Sequence, residues 1–337
     1  MTAMSHALVD APSTAPDRPT RSPAARALAL WQSAGPVAVF VVLLILVAIV
    51  QPPFVTGGGL RILAVQATPI MLVALGQAMV LHVGSIDLSN AAIAILSAIV
   101  LAKALGPLGA AAPLLCLVLL TAVGAVNGLL VAFAQVPSFA LTLGTLGVLQ
   151  AVSLVVSHAS TVYATAHTGV LDFLFEIDVF GLPIAFWVAV LLALALWLLL
   201  RRTATGRAMT AVGLNETGAR FAGLRTQWLR VLAFALSGAM AAVAGIMIVA
   251  QAQSASSSGL GSDLLIPAIA AAIVGGTALT GGVTNPLNVV VGALTVSLVP
   301  IGAQTIGVTS QAQSLVYGLV IVVAVALTVP RVRSIVK

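Results

Sequence analysis

Residues 201–230 read RRTATGRAMTAVGLNETGARFAGLRTQWLR and lie between two long apolar runs. Six of the fourteen Lys and Arg residues fall here (Arg201, Arg202, Arg207, Arg220, Arg225 and Arg230), with Glu216, one of eight acids. A basic island between apolar segments marks the cytoplasmic side of a membrane, where Lys and Arg accumulate. Within it, Leu214–Leu224 predicts a short helix. Asn215 and Thr217 are its N-cap candidates, and Glu216 falls in the first turn, where a carboxylate complements the helix dipole. Phe221, Ala222 and Leu224 supply an apolar side, Arg220 and Arg225 a basic flank. Gly213, Gly218 and Gly223 let another backbone come close. So short a helix has no core of its own to enter; it is suited to being gripped by a second protein.

Composition carries this reading to the whole chain. Of 337 residues, 61% are hydrophobic and 7% charged, and the mean hydropathy is +1.18. Water-soluble domains carry roughly 25% charged residues, so this apolar surface must face lipid or other spans. The net charge of +6 does not point to nucleic acid, because the basic residues stand at span ends and form no patch. The single cysteine, Cys116, lies in an apolar run, which excludes a disulfide framework and a cysteine metal site and leaves it a packing residue. No metal-ligating cluster is expected.

Apolar runs of ~20 residues cross the hydrocarbon, and the chain has room for about ten. Residues 1–28, with Arg18, Arg21 and Arg26, read as a disordered cytoplasmic tail ahead of an uncleaved first span. One transmembrane domain, 29–337, follows. Its spans are expected near 35–50, 61–82, 91–105, 110–133, 139–156, 182–200, 228–250, 264–279, 287–301 and 314–329. Gly57–Gly59 and Gly106–Pro107 are read as loops between spans, and Asp263 as a cap on the eighth span. The segment 158–180 carries Asp172, Glu176 and Asp178 without Lys or Arg, which suits the outer face. Ten spans place the N-tail, the 201–230 loop and the C-tail (Arg331, Arg333, Lys337) together, and these hold 12 of the 14 basic residues. Both termini are therefore expected in the cytoplasm. Spans 2–3 and 8–9 are short enough for one to be re-entrant. The fold class is an all-α polytopic membrane protein of about ten transmembrane helices, with Gly-interrupted spans and a cytoplasmic helix in the long loop.

Three further stretches place polar residues at membrane depth. In GQAMVLHVGSIDLSN (76–90), Asp87 is the only acid between residues 18 and 171. An ionisable group there is a functional residue by default, and it equally suits an N-cap of the next span; the two roles are compatible. Gln77, His82, Ser89 and Asn90 surround it in sequence. In NGLLVAFAQVPSFALTLGTLGVLQ (127–150), Thr142 and Thr145 line a polar path or bond the helix backbone, Gly144 allows close helix approach, and Gln150 is the stronger pathway candidate. In AIAAAIVGGTALTGGVTNP (268–286), the pairs Gly275-Gly276 and Gly281-Gly282, with Thr277 between them, would interrupt a span and turn backbone groups toward a cavity. The Gly-rich breaks after spans 2 and 8 hint at two related halves.

These stretches, in this order, resemble the permeases of ribose/branched-chain-type ATP-binding-cassette (ABC) importers. Gly206, Arg207, Ala211, Gly213, Asn215, Ala219 and Gly223 fall on that family's G-R-x-x-x-A-x-G-x-N-x-x-x-A-x-x-x-G coupling loop. Gly84–Ser89 resembles the G-G-I-D-L-S signature of its monosaccharide permeases, with Ser85 for the second glycine. Pro137, Phe139, Thr142, Leu143, Gly144 and Thr145 match P-x-F-x-x-T-L-G-T, and the paired glycines match G-G-x-x-x-x-G-G. His82, Asn90 and Asn285-Pro286 depart from the pattern close to the expected pathway. The resemblance implies a loop that plugs into a cleft on a separate ATPase subunit and passes its closure to the spans. Gly213, Asn215, Glu216, Arg220, Phe221 and Gly223 would couple to the ATPase. Gln77, His82, Asp87, Ser89, Asn90, Thr142, Thr145, Gln150 and Thr277 would line the solute path. Gly144, Gly275, Gly276, Gly281 and Gly282 would be gate glycines.

It implies further a second permease copy or paralogue, a periplasmic or lipid-anchored solute-binding protein, a small polar solute such as a monosaccharide, and a bacterial inner membrane. ATP and Mg would be held by the partner, with no cofactor bound here. No G-x-x-x-x-G-K-[ST], H-E-x-x-H or G-x-S-x-G occurs, so neither ATP hydrolysis by a phosphate loop nor a membrane hydrolase is supported. The alternative is a stand-alone ion-coupled carrier or channel using Asp87.

Overall fold

The computed structural model describes residues 23–257 and 263–305, together with Leu315 and Gly318. Among them are twelve α-helices: α1 (Pro23–Val50), α2 (Gly57–His82), α3 (Asn90–Leu108), α4 (Ala112–Phe133), α5 (Ser138–Ser157), α6 (Gly169–Glu176), α7 (Ile184–Arg202), α8 (Ala204–Leu214), α9 (Glu216–Phe221), α10 (Thr226–Ala252), α11 (Leu265–Val274) and α12 (Pro286–Thr305). Nine are apolar; α6, α8 and α9 are short connectors. The chain is an all-α polytopic membrane protein. Apart from Leu315 and Gly318, the tenth expected span, 314–329, lies outside the described residues.

Several boundaries differ from expectation for local reasons. Helix α1 starts at Pro23, so 23–28 are helical. Gly57–Gly59 form the first turn of α2, where no intrahelical donor is lost. A side chain on Gly59 would collide with the Phe54 carbonyl. Gly106 and Pro107 sit in the last turn of α3, and the reversal falls instead at Gly109 (φ +52) and a 3-10 turn over Gly109–Ala111. Residue Asp263 does not cap α11, whose N-cap is Leu264. With ten residues, α11 is about 15 Å long, half of the ~30 Å hydrocarbon. It is a half-span that ends inside the protein at Gly275.

Helix α10 forms the centre, packed against α4, α2 and α3. On the other side of α2 lie α11 and α12, with α7 beside them and α1 against α12. Helix α5 touches α3 and α4 and leaves most of its surface open. The α4–α10 crossing is set by glycine on both helices. A Cβ on Gly124 would stand 2.9 Å from Gly238 Cα, and one on Gly238 would stand 2.7 Å from the Leu120 carbonyl oxygen. Small residues at both contacts let the backbones touch, the means by which helices associate in lipid. Cys116 is fully buried on the same α4, as its sequence setting suggested.

Helices α8 and α9 sit at one end of the bundle, the loop face. At the opposite face, β1 (Val162–Tyr163) pairs with β4 (Ser254–Ala255), and β2 (Asp178–Val179) with β3 (Leu182–Pro183), all antiparallel. Arg61 binds Asp178 at 2.9 Å and the Phe175 carbonyl at 2.6 Å, and Gln253 donates to Asp172 at 2.8 Å. The acidic segment is thus stitched to α2 and to the end of α10. Gly238→Val should destabilise the bundle by about 1–3 kcal/mol of overpacking, read as a lower melting temperature in detergent. Gly58→Ala, at a site with open space around it, should stay within about 0.5 kcal/mol.

Candidate functional site

Three helices end in the same local geometry, each on a glycine with positive φ. At the end of α2, Gly84 (φ +74) donates to the Leu81 carbonyl at 2.9 Å and Ser85 to Val80 at 3.1 Å. At the end of α11, Gly276 (φ +82) donates to Ile273 at 2.8 Å and Thr277 to Ala272 at 3.0 Å. At the end of α9, Gly223 (φ +79) donates to Arg220 at 3.0 Å and Leu224 to Ala219 at 3.1 Å. This is the Schellman motif, which needs a left-handed residue after the helix and satisfies carbonyls otherwise left bare. The full-length span α2, the half-span α11 and the loop helix α9 all stop this way.

The first two ends meet each other, and α8 is wedged between them. The carbonyl of His82 accepts from Gly282 N–H at 2.9 Å. A Cβ on Gly281 would lie 3.1 Å from Gly84 Cα and 2.7 Å from the Gly213 carbonyl oxygen. One on Gly213 would overlap the His82 carbonyl and come within 2.9 Å of Gly282 Cα. Three backbone segments therefore meet with no room for a side chain at Gly213 or Gly281. The His82 ring joins the same contact, with Nε2 3.0 Å from Thr210 Oγ1 on α8. Because Thr210 gives its hydroxyl proton to the Gly206 carbonyl (3.0 Å), Nε2–H is the donor.

From Gly84 the chain turns back into the bundle beside α5. Ile86 N–H donates to Ser138 Oγ and Leu88 N–H to Thr142 Oγ1, both at 3.1 Å. Residues four apart on a helix lie on one face ~6 Å apart, so the hydroxyls at 138 and 142 reach two amides of this non-helical segment. Non-helical backbone inside an apolar bundle needs such partners.

Beyond Leu88 the polar groups close into a network. Asp87 is fully buried. Its Oδ1 accepts from Ser89 N–H (2.9 Å) and Ser89 Oγ (2.6 Å), and its Oδ2 from Ser237 Oγ of α10 (2.8 Å). Asn127 Nδ2 of α4 donates to Ser89 Oγ at 2.9 Å, and Thr145 Oγ1 of α5 to Asn127 Oδ1 at 3.0 Å. Among the described residues no cation pairs with Asp87. The N-cap of α3 is Ser89, with no side-chain cap bond, so Asp87 is not the cap the sequence suggested: its bond to Ser89 N–H closes a local turn ahead of the helix, and its bond to Ser237 ties that turn to α10. Deeper still, Asn90 Nδ2 donates to Gln77 Oε1 at 3.0 Å, while Gln77 Nε2 and Asn90 Oδ1 have no partner. A donor and an acceptor side by side match one hydroxyl group, which offers both functions.

The remaining candidates scatter. Gln150 is on an exposed face of α5 beside a cavity of about 220 Å³, with Ser153 and Ser257. Thr277 bonds Thr284 across the loop at 2.7 Å. Gly275 is the α11–α12 crossing, with room for no Cβ against Val289 (2.6 Å). Gly281 and Gly282 are filled by α8, so the glycine breaks are packed shut instead of facing a cavity. Gly144 lies in unbroken α5, and no described residue comes against it, so the close helix approach expected there is not made among the described residues.

On the loop, Asn215 is the N-cap of α9, its Oδ1 accepting from Gly218 N–H at 2.9 Å. Glu216 takes Arg230 of α10 at 2.7 Å and lies 3.6 Å from Arg220. Leu214 and Phe221 are 66% and 89% exposed, and the Leu214 side chain also lies over Gly282. Sequence reasoning had not singled out Ser138, Asn127, Ser237 or Thr210 as site residues. A hydroxyl pair four apart, as at Ser138 and Thr142, was the legible signal for the first.

Residues 59–325 match the family described as "Branched-chain amino acid transport system / permease component", and the chain belongs to that family. It is similar to the D-allose transport system permease protein of Escherichia coli (strain K12), 33% identical over 88% of this chain and 91% of that one. It is equally similar to the ribose import permease protein of the same strain, 33% identical over 85% and 91%. The ribose import permease protein of Bacillus subtilis (strain 168) is 31% identical over 88% and 93%. No solved structure matches the chain. It is a multi-pass permease component of an ABC import system, and this membership sets aside the stand-alone ion-coupled carrier.

Thr142→Val should strand the Leu88 amide at a cost of about 1–3 kcal/mol, seen as faster deuterium uptake over 84–90. Thr142→Ser should retain protection.

Proposed function

We propose that this chain forms the membrane path of an ABC importer for a monosaccharide or similar small polar solute, driven by a separate ATPase subunit that grips α9. The observation that carries the reading is the wedge of α8 between the two interrupted spans. A pull on α9 reaches Gly213 within one turn, and Gly213 touches both the His82–Gly84 end and Gly281–Gly282. The exposed Phe221, with the outer part of Leu214, supplies apolar surface to be gripped, and Asn215, Glu216, Arg220 and Gly223 hold the helix in shape. The loop face is then cytoplasmic, as its Arg201, Arg202, Arg207 and Arg225 favour, with both termini on that side of a bacterial inner membrane.

ATP and Mg belong to the partner, and this chain contributes no catalysis. A second permease copy or paralogue would cover the open face of α5 that holds Gly144 and Gln150. A solute-binding protein, periplasmic or lipid-anchored, would dock over the stitched segments of the opposite face. The D-allose and ribose named for the relatives, together with the unpaired Gln77–Asn90 amides, favour a polyhydroxylated solute. Asp87, Ser89, Thr142, Thr145 and Thr277 then act by holding the breaks in one of two arrangements, with His82 a link to α8 more than a lining residue.

In vesicles holding the whole importer, Phe221→Ala with Leu214→Ala should lower uptake of labelled ribose or allose about tenfold or more while the ATPase keeps its basal hydrolysis. Unchanged uptake after replacing residues 206–225 by a neutral linker would overturn the proposal.

A further inference from the structure

Beside the junction on the loop face lies a polar cavity of about 320 Å³, lined by Glu216 and Arg220 of α9, Arg230 of α10, and Ser85, Gln135 and Ser138. Two guanidiniums face one carboxylate there, so the cavity carries a surplus positive charge. The Glu216–Arg230 contact is a close one at 2.7 Å. Arg220, at 3.6 Å from Glu216 and 61% exposed, is outside hydrogen-bond range and held by charge alone. Arg230 is only 18% exposed and its buried Nε has no partner. A guanidinium has donors in a planar fork that fits a phosphate, and here part of that fork is unused. One carboxylate does not satisfy both arginines.

The level of the cavity is set by aromatic rings. Trp228, two residues before Arg230, stands edge-on to Phe133 with centroids 5.3 Å apart. Phe133 follows Ala132 of the cavity wall, and the two rings are 55% and 46% exposed. Half-exposed aromatic rings at the ends of apolar helices mark the headgroup layer of a bilayer. The cavity therefore opens where lipid phosphates lie.

We propose that this cavity is a phosphate-binding site, in which a phosphate bridges Arg220 and Arg230 in competition with Glu216. The phosphate comes from an anionic phospholipid of the surrounding leaflet or from free phosphate in solution. Binding loosens the tie between α9 and α10. Its effect on coupling rests on the function proposed above; the binding itself does not.

The test uses the purified full chain in nanodiscs, without an ATPase, so its outcome is separate from that of the uptake experiment. In one arm, native mass spectrometry compares retained phosphatidylglycerol with phosphatidylcholine; in the other, inorganic phosphate is titrated into phosphatidylcholine discs. A preference of about tenfold for phosphatidylglycerol assigns the lipid source, and saturable phosphate binding without it assigns the soluble one. In either case Arg230→Gln should abolish binding and Glu216→Gln, which removes the competitor, should strengthen it. Opposite signs from two neutralising changes are not produced by misfolding. Arg202→Gln, on the loop face outside the cavity, should change nothing. No binding in either arm, or binding indifferent to Arg230→Gln, would overturn the proposal.

Discussion

Backbone amides and carbonyls that leave a helix inside an apolar bundle must be met by some other polar group, because water is not at hand. That constraint organises this protein. It explains why α2 and α11 stop on a left-handed glycine, why the freed His82 carbonyl is taken by Gly282 N–H, and why the chain after Gly84 runs against hydroxyls on α5. Each interruption is costly alone and tolerable only when another segment completes it. The completion comes from different helices each time, which is what ties the loop helices, the two broken spans and α5 into one mechanical unit.

Helix α10 is the common member of that unit. At its loop-face end Arg230 holds Glu216 of α9, and two turns further along Ser237 holds Asp87. Seven residues apart, the two side chains project from nearly the same side of the helix. The loop therefore reaches the Asp87 network by two routes, through α8 into the glycine junction and along α10 from Glu216. Gly238, next to Ser237, packs backbone to backbone on Leu120 and Gly124 of α4, so the helix that carries one route is also clamped by α4.

Much of this was legible in the residues themselves, and the part that was not has a single cause. The loop helix, the Asn215 cap, the break at 84–90 and the stop at Gly275-Gly276 are written locally, in caps and glycines that act within a few positions of themselves. The misread turns at Gly57–Gly59 and Gly106–Pro107 are local too: glycine and proline signal a loop and a helix end alike, and only packing, as of Gly59 under Phe54, decides. The partners of Asp87 and His82 were hidden because Ser237 and Thr210 lie 150 and 128 positions away. For the same reason the glycine pairs read as an opening, while the folded chain packs Gly275 against α12 and Gly281–Gly282 against α8. Family resemblance gave the class, yet the unusual His82 took on meaning only when its ring was found against Thr210.

Ile86 and Leu88 hang on two hydroxyls one helical turn apart on α5, so the segment is fastened at two points and not one. Two fastenings fix both position and orientation along the helix, where a single bond would leave the segment free to swivel. The break after α2 is thus as firmly registered on α5 as a regular element would be.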